Sequence, residues 1–248
     1  MSSPADLALL AGAGLLAGTL GSAGAITSLV SYPALLAVGI APVPANVTNA
    51  VALVGSFTGS AAGSRPELAG QLGWLARWAP LMAMGSAGGV VLLLSTPSRL
   101  FARIVPFLLV AAVLALLVQP LAGRVRPGRG RRAVLAAGLA AMALYSGYFG
   151  AGSGVMVLAL LLATAEQQVR LANALKNMLL GIADLVAAIG FAAFGPVQWG
   201  AVLPLFCGLV AGSALGPAVV RRVPELAVRL AAAAAGVGLA VWFWVSPG

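Results

Sequence analysis

Charged positions divide this chain into long apolar stretches: none stands between Asp6 and Arg65, between Arg132 and Glu166, or between Asp184 and Arg221. Each stretch exceeds the roughly 20 residues that one helix needs to cross the hydrocarbon of a bilayer. Within them Leu, Ala, Val and Gly follow one another without the apolar/polar alternation, in segments of about 10 residues, that a transmembrane β-barrel would show. The pattern predicts an all-α polytopic membrane protein. Uncharged runs between Arg77 and Arg99 and between Arg103 and Arg124 each fit one crossing and give spans over 73–95 and 100–119. A further span covers 45–63, after the turn at Pro42 and Pro44 and before Ser64, Arg65 and Pro66. After a basic linker at 123–132 the same order returns, with spans over 169–192, 199–219 and 226–245.

The opening of each half, 7–38 and 133–164, is too long for one helix and too short for two full crossings with a turn. Both carry a glycine cluster near the middle: Gly18, Gly21 and Gly24 in GTLGSAG, and Gly147, Gly150, Gly152 and Gly154 in GYFGAGSG. A helix broken there gives two half-length pieces. Arginine placement decides whether such a stretch crosses the membrane or turns back. If both turn back as re-entrant hairpins, Arg65, Arg77, Arg124, Arg126, Arg129, Arg131, Arg132, Arg170, Arg221, Arg222 and Arg229 share one side, leaving Arg99 and Arg103 on the other. If both cross, the arginines split almost evenly and carry no orientation signal. The hairpin reading gives each repeat, 1–122 and 133–248, one hairpin and three spanning helices. It inserts the second repeat upside down, puts the central basic loop in the cytoplasm and leaves both termini outside. Internal similarity agrees with a duplication: ANVT at 45–48 matches ANAL at 172–175, and GSAGG at 85–89 matches GSALG at 212–216, both at an offset of 127.

Composition sharpens this picture. Only 8% of the 248 residues are charged and 61% are apolar, against about 25% charged in a soluble domain. The start, MSSPADLALLAG, lacks the basic region of a secretory signal, so the first apolar run is expected to be retained. The net charge of +9 comes from arginines between apolar runs and is read as membrane orientation rather than nucleic-acid binding. With no His and only Cys207, neither an internal disulfide nor a zinc or haem site of the usual kind is expected, and no metal or other cofactor is called for.

The polar residues inside the spans are few and clustered. All four Asn, Asn46, Asn49, Asn173 and Asn177, fall in the two matched stretches, where they either join helices or line a path. Lys176, the only lysine, sits inside an apolar span, where an ionised side chain costs on the order of 2.5–3.5 kcal/mol. It either snorkels toward the surface near Arg170 or binds an anion. Asp184 follows about 12 Å further along the same helix, too far for a tight ion pair with Lys176, and is either a proton relay or a hydrogen-bonding group. The glycine breaks would expose helix N-termini, whose free N–H groups and partial positive charge suit an anion. The substrate-binding set expected is therefore Gly21, Ser22, Gly24, Thr48, Asn49, Gly152, Ser153, Gly154, Lys176 and Asn177, with Asp184 as proton relay. The function read from this set is secondary transport of a small anion. An anion channel is the alternative, and an intramembrane hydrolase using Ser153 and Lys176 is a weaker one. The partners expected are the anion, the lipid bilayer and, for a homodimer, a second copy of the chain.

The glycine-rich opening of each half, Pro33, the A-x-x-T motif at 45–48 and Lys176 at the matching place in the second half resemble the TauE/SafE sulfite-exporter family, also called the 4-toluene sulfonate uptake permease family. The resemblance covers nearly the whole chain. It implies transport of sulfite, sulfonates or other sulfur-containing anions across the bacterial cytoplasmic membrane. The sequence departs from the family pattern at Leu175, where a small hydroxyl residue is frequent, and at Ala23 and Ala25 in the first break.

Overall fold

Helices account for the regular structure of the described residues, as apolar sequence in lipid requires: only a helix or a closed barrel satisfies its backbone polar groups without water. The computed structural model describes residues 3–24, 27–122, 131–165 and 168–220. Among them are nine helices and no strand: α1 (Pro4–Gly24), α2 (Thr27–Ala37), α3 (Pro42–Gly63), α4 (Leu72–Ser95), α5 (Ser98–Ala122), α6 (Arg131–Tyr148), α7 (Ser153–Thr164), α8 (Val169–Phe194) and α9 (Trp199–Val220). The expected span at 226–245 and all of the basic linker except Arg131 and Arg132, which begin α6, lie outside the described residues. Among the described residues three stretches are long and apolar enough on their own to cross a membrane: Pro4–Ser22, Leu72–Ser95 and Val169–Phe194. Leu16, Met84, Phe107, Ile189 and Leu203 stand exposed on the outside of the bundle, as a lipid-facing surface requires.

Each opening stretch is broken, but not into equal pieces. The first gives helices of 21 and 11 residues, the second helices of 18 and 12. The reason is that the early glycines of each cluster do not break a helix. Gly18 lies within α1 and Gly147 within α6, and both serve close helix packing instead. A Cβ on Gly147 would collide with the Ser86 carbonyl oxygen of α4, and one on Gly212 of α9 with the Leu15 carbonyl oxygen of α1. Without a hydrophobic driving force between helices in lipid, this close backbone approach carries much of the association.

The helix pairings repeat when the halves are exchanged. α1 lies on α9 as α6 lies on α4; α3 packs on α9 as α8 packs on α4; α2 meets α3 as α7 meets α8; and α3 and α8 meet each other at the centre. Side-chain bonds follow the same exchange. Ser86 Oγ donates to the Ala183 carbonyl at 2.6 Å, and at the positions 127 residues away Ser213 Oγ meets Ser56 Oγ at 2.8 Å. Arg131 Nε donates to the Thr164 carbonyl at 2.9 Å and so places a cation at the C-terminal end of α7, where the helix dipole favours one.

Packing this tight leaves no room for larger side chains. Gly147→Leu and Gly212→Leu are each expected to destabilise the protein by roughly 1–3 kcal/mol through overpacking, read as a lower midpoint of thermal unfolding in detergent. Gly12→Ala, at a position where nothing lies within 4 Å of an added Cβ, is expected to leave the midpoint unchanged or raise it.

Candidate functional site

A helix that stops inside an apolar bundle leaves its last carbonyls without partners, so a break needs outside donors. Both breaks obtain one from an asparagine of the opposite half. Asn173 Nδ2, on α8, donates to the Ser22 carbonyl at 2.8 Å near the end of α1. Asn46 Nδ2, on α3, donates to the Tyr148 carbonyl at 3.0 Å at the end of α6. Such bonds contribute about 0.6–2 kcal/mol each in membrane proteins, and here they also fix where each break sits.

The second break is built by its own sequence. The Phe149 and Gly150 N–H groups both return to the Tyr145 carbonyl, at 2.9 and 3.0 Å, which closes α6. Gly150 and Gly152 then take φ of 76° and 78°, a left-handed backbone that glycine adopts without steric cost. Tyr145 Oη donates to the Ala151 carbonyl at 2.6 Å, and the Phe149 ring packs edge-on against Tyr32 and Phe101, with centroids 5.4 and 5.9 Å away. α7 starts at Ser153 with Gly152 before it and no side chain capping its N-terminus. At the first break Gly21 packs on Thr27, leaving no space for a Cβ.

Between the breaks lies a cavity of about 60 Å³, enough for a few waters or one small anion, since a single water needs roughly 10–15 Å³. Gly21, Thr27 and Ser28 line it from the first break, and Gly150, Gly152, Ser153 and Gly154 from the second. α3 adds Leu53, Ser56, Phe57 and Ser60; α8 adds Lys176, Asn177, Leu180, Gly181 and Asp184. Lys176 is 1% exposed, and its Nζ donates to Asn173 Oδ1 at 2.8 Å. Among the described residues no carboxylate lies within 4.0 Å of it. An ammonium has three donors, so two remain after the bond to Asn173. Asp184 is two turns further along α8 and accepts from Ser146 Oγ at 3.5 Å, a long contact for a hydroxyl on a carboxylate. One end of the cavity is thus rich in donors and the other carries an acid.

Of the residues singled out from sequence, Gly21, Gly152, Ser153, Gly154, Lys176, Asn177 and Asp184 stand on this wall. Three others lie off it, in bonds of their own. Ser22 donates through Oγ to the Thr19 carbonyl at 3.3 Å; Thr48 Oγ1 accepts from the Gln198 N–H at 2.9 Å; Asn49 Oδ1 accepts from Ser31 Oγ at 2.6 Å. Gly24 is the last residue of α1. Sequence reasoning missed Thr27, Ser28, Ser56 and Ser60 on the wall. A usable signal existed for two of them: Ser56 and Ser60 are four residues apart on one face of α3.

Searches of curated proteins and of solved structures give no match. Residues 7–243, nearly the whole chain, match the family model described as Sulfite exporter TauE/SafE. A family of membrane transporters rather than enzymes accounts for an apolar helical bundle with a buried, donor-rich cavity between two broken helices, and the chain belongs to it: it is a membrane transporter of the TauE/SafE sulfite-exporter family.

Proposed function

We propose that the protein is a secondary carrier that moves a small sulfur-containing oxyanion, sulfite or a sulfonate, across the bacterial cytoplasmic membrane. One observation carries this reading: Lys176 is buried in the cavity between the two helix breaks, and among the described residues it has no carboxylate partner. A buried ammonium left without a counter-ion is costly, and an anion in the cavity would offset that cost. The anion would take charge-assisted hydrogen bonds from Lys176, with further donors from Ser153, Asn177 and the hydroxyls of Thr27 and Ser28. Gly152 and Gly154 allow backbone approach, and the N-terminus of α7 presents its dipole there. Ser22, Thr48 and Asn49 would act behind the wall, keeping the breaks and helix ends in place.

The halves act in this reading as inverted repeats, each a re-entrant hairpin followed by three crossings. Exchangeable helix pairing and the 127-residue offset of bonded partners support it, as does the arginine bias. The basic loop then faces the cytoplasm and both termini face outward. With Cys207 replaced, single cysteines at residue 3 and at residue 127 are expected to react with an impermeant maleimide from opposite sides of the membrane. Labelling of both from one side would dismiss the hairpins.

Transport follows by rocking of the halves around the cavity. In proteoliposomes, Lys176→Ala is expected to reduce sulfite counterflow by about tenfold or more, the loss of a charged hydrogen bond. Undiminished counterflow would take Lys176 out of the mechanism. Asp184 is the acid available for proton coupling. Asp184→Asn is expected to retain downhill sulfite flux but lose accumulation driven by an imposed pH difference; accumulation equal to that of the unaltered protein would remove Asp184 from coupling.

A further inference from the structure

Asn173 is bonded at both ends of its side-chain amide. Its Nδ2 holds the Ser22 carbonyl at the first break, at 2.8 Å, while its Oδ1 accepts from Lys176 Nζ, also at 2.8 Å. The first half is built differently at the corresponding place. Asn46 holds the Tyr148 carbonyl as Asn173 holds that of Ser22, but position 49, which is 127 residues before Lys176, is an asparagine whose Oδ1 accepts from Ser31. Asn46 therefore acts as a clamp with no cation attached. The clamp at Asn173 is tied to the charge in the cavity.

Resting on the carrier reading above, we propose that Asn173 is a positioning residue that couples occupancy of the cavity to the hold on the first helix break. In the empty cavity the Lys176 ammonium lies on Asn173 Oδ1 and polarises the amide, which strengthens the bond from Nδ2 to the Ser22 carbonyl; hydrogen bonds in a chain reinforce one another in this way. An entering anion is the better acceptor for an ammonium, because hydrogen bonds between ionised partners are about twice as strong as neutral ones. It draws Lys176 away from Asn173. The Ser22 carbonyl is then held by an unpolarised amide, and the end of α1 beside Gly21, which lines the cavity, is released to move. Binding loosens one break while the Asn46 clamp keeps the other closed.

The mechanism makes Asn173 and the anion compete for Lys176, which gives two substitutions opposite effects. Asn173→Ala removes the competitor and is expected to lower the apparent KM for sulfite in proteoliposomes by up to about tenfold while reducing the maximal rate. Asn173→Asp replaces the neutral acceptor by a carboxylate, pins Lys176 and is expected to raise the apparent KM by about tenfold or more. Asn46→Ala is expected to reduce the maximal rate without moving KM. Shifts of KM in the same direction for both Asn173 variants, or an equal shift in Asn46→Ala, would overturn the proposal and leave Asn173 a structural clamp.

A second measurement does not depend on transport. Lys176 is the only lysine of the chain, so its reductive methylation, followed by mass spectrometry of its peptide, reports its freedom in the absence of any anion. Methylation is expected to be faster than in the unaltered protein for Asn173→Ala and slower for Asn173→Asp; equal rates in all three overturn the proposal. If the unaltered protein fails to move sulfite while these rates separate as expected, the choice of sulfite as cargo fails and the link between Asn173 and Lys176 stands.

Discussion

The structure depends on how broken helices survive inside an apolar bundle. A carbonyl at a helix end inside such a bundle has no intrahelical partner, and leaving it buried and unpaired costs about 1–3 kcal/mol. Asn173 and Asn46 answer this for the two breaks, each from the other half of the chain. The breaks are therefore held by their opposite numbers, and the space between them is bordered by both halves at once. That is the arrangement in which a small cavity can be lined by residues from both glycine clusters and from the central helices α3 and α8. The same two amides hold the breaks whose glycines line the cavity.

Close packing is the second condition. Glycine and serine on α4 and α9 let them lie against α6 and α1, so the first helix of each half is fixed by a helix of the other. This pairing divides the glycine clusters into two functions that look identical in sequence. Gly18 and Gly147 are contact surfaces within helices, whereas Gly150 and Gly152 form a left-handed turn. Glycine is called for in both cases, by space in the first and by φ in the second.

Much of this was legible in the sequence because lipid imposes such simple rules. The span of uncharged residues gives helix positions, and the interruptions of the two opening stretches give the breaks. Lys176 stood out because a lone lysine in an apolar run has to be explained, and it lies on the cavity wall beside Asn177. What the sequence concealed was the distribution of tasks among equivalent polar residues. Thr48, Asn49 and Ser22 have the same chemistry as the residues that line the cavity, but each is engaged elsewhere: Thr48 with the connection before α9, Asn49 with α2 and Ser22 with the backbone of its own helix. Side-chain direction on a buried helix is decided by neighbours that one sequence does not reveal. Ser56 and Ser60 were overlooked for the converse reason: a serine in a glycine-rich helix reads as packing until the opposite wall is known. The lengths of the broken pieces were misjudged because a glycine inside a helix and one that ends it carry the same letter.

An anion in the cavity would rest on Lys176. Because the chain has one lysine, protein labelled with ¹⁵N-lysine in liposomes gives a single side-chain Nζ resonance, observable by solid-state NMR while sulfite is titrated. A resonance that shifts and then saturates over the concentration range in which the same liposomes transport sulfite is the expected result. A resonance that stays in place while transport saturates would mean that sulfite passes without binding at Lys176.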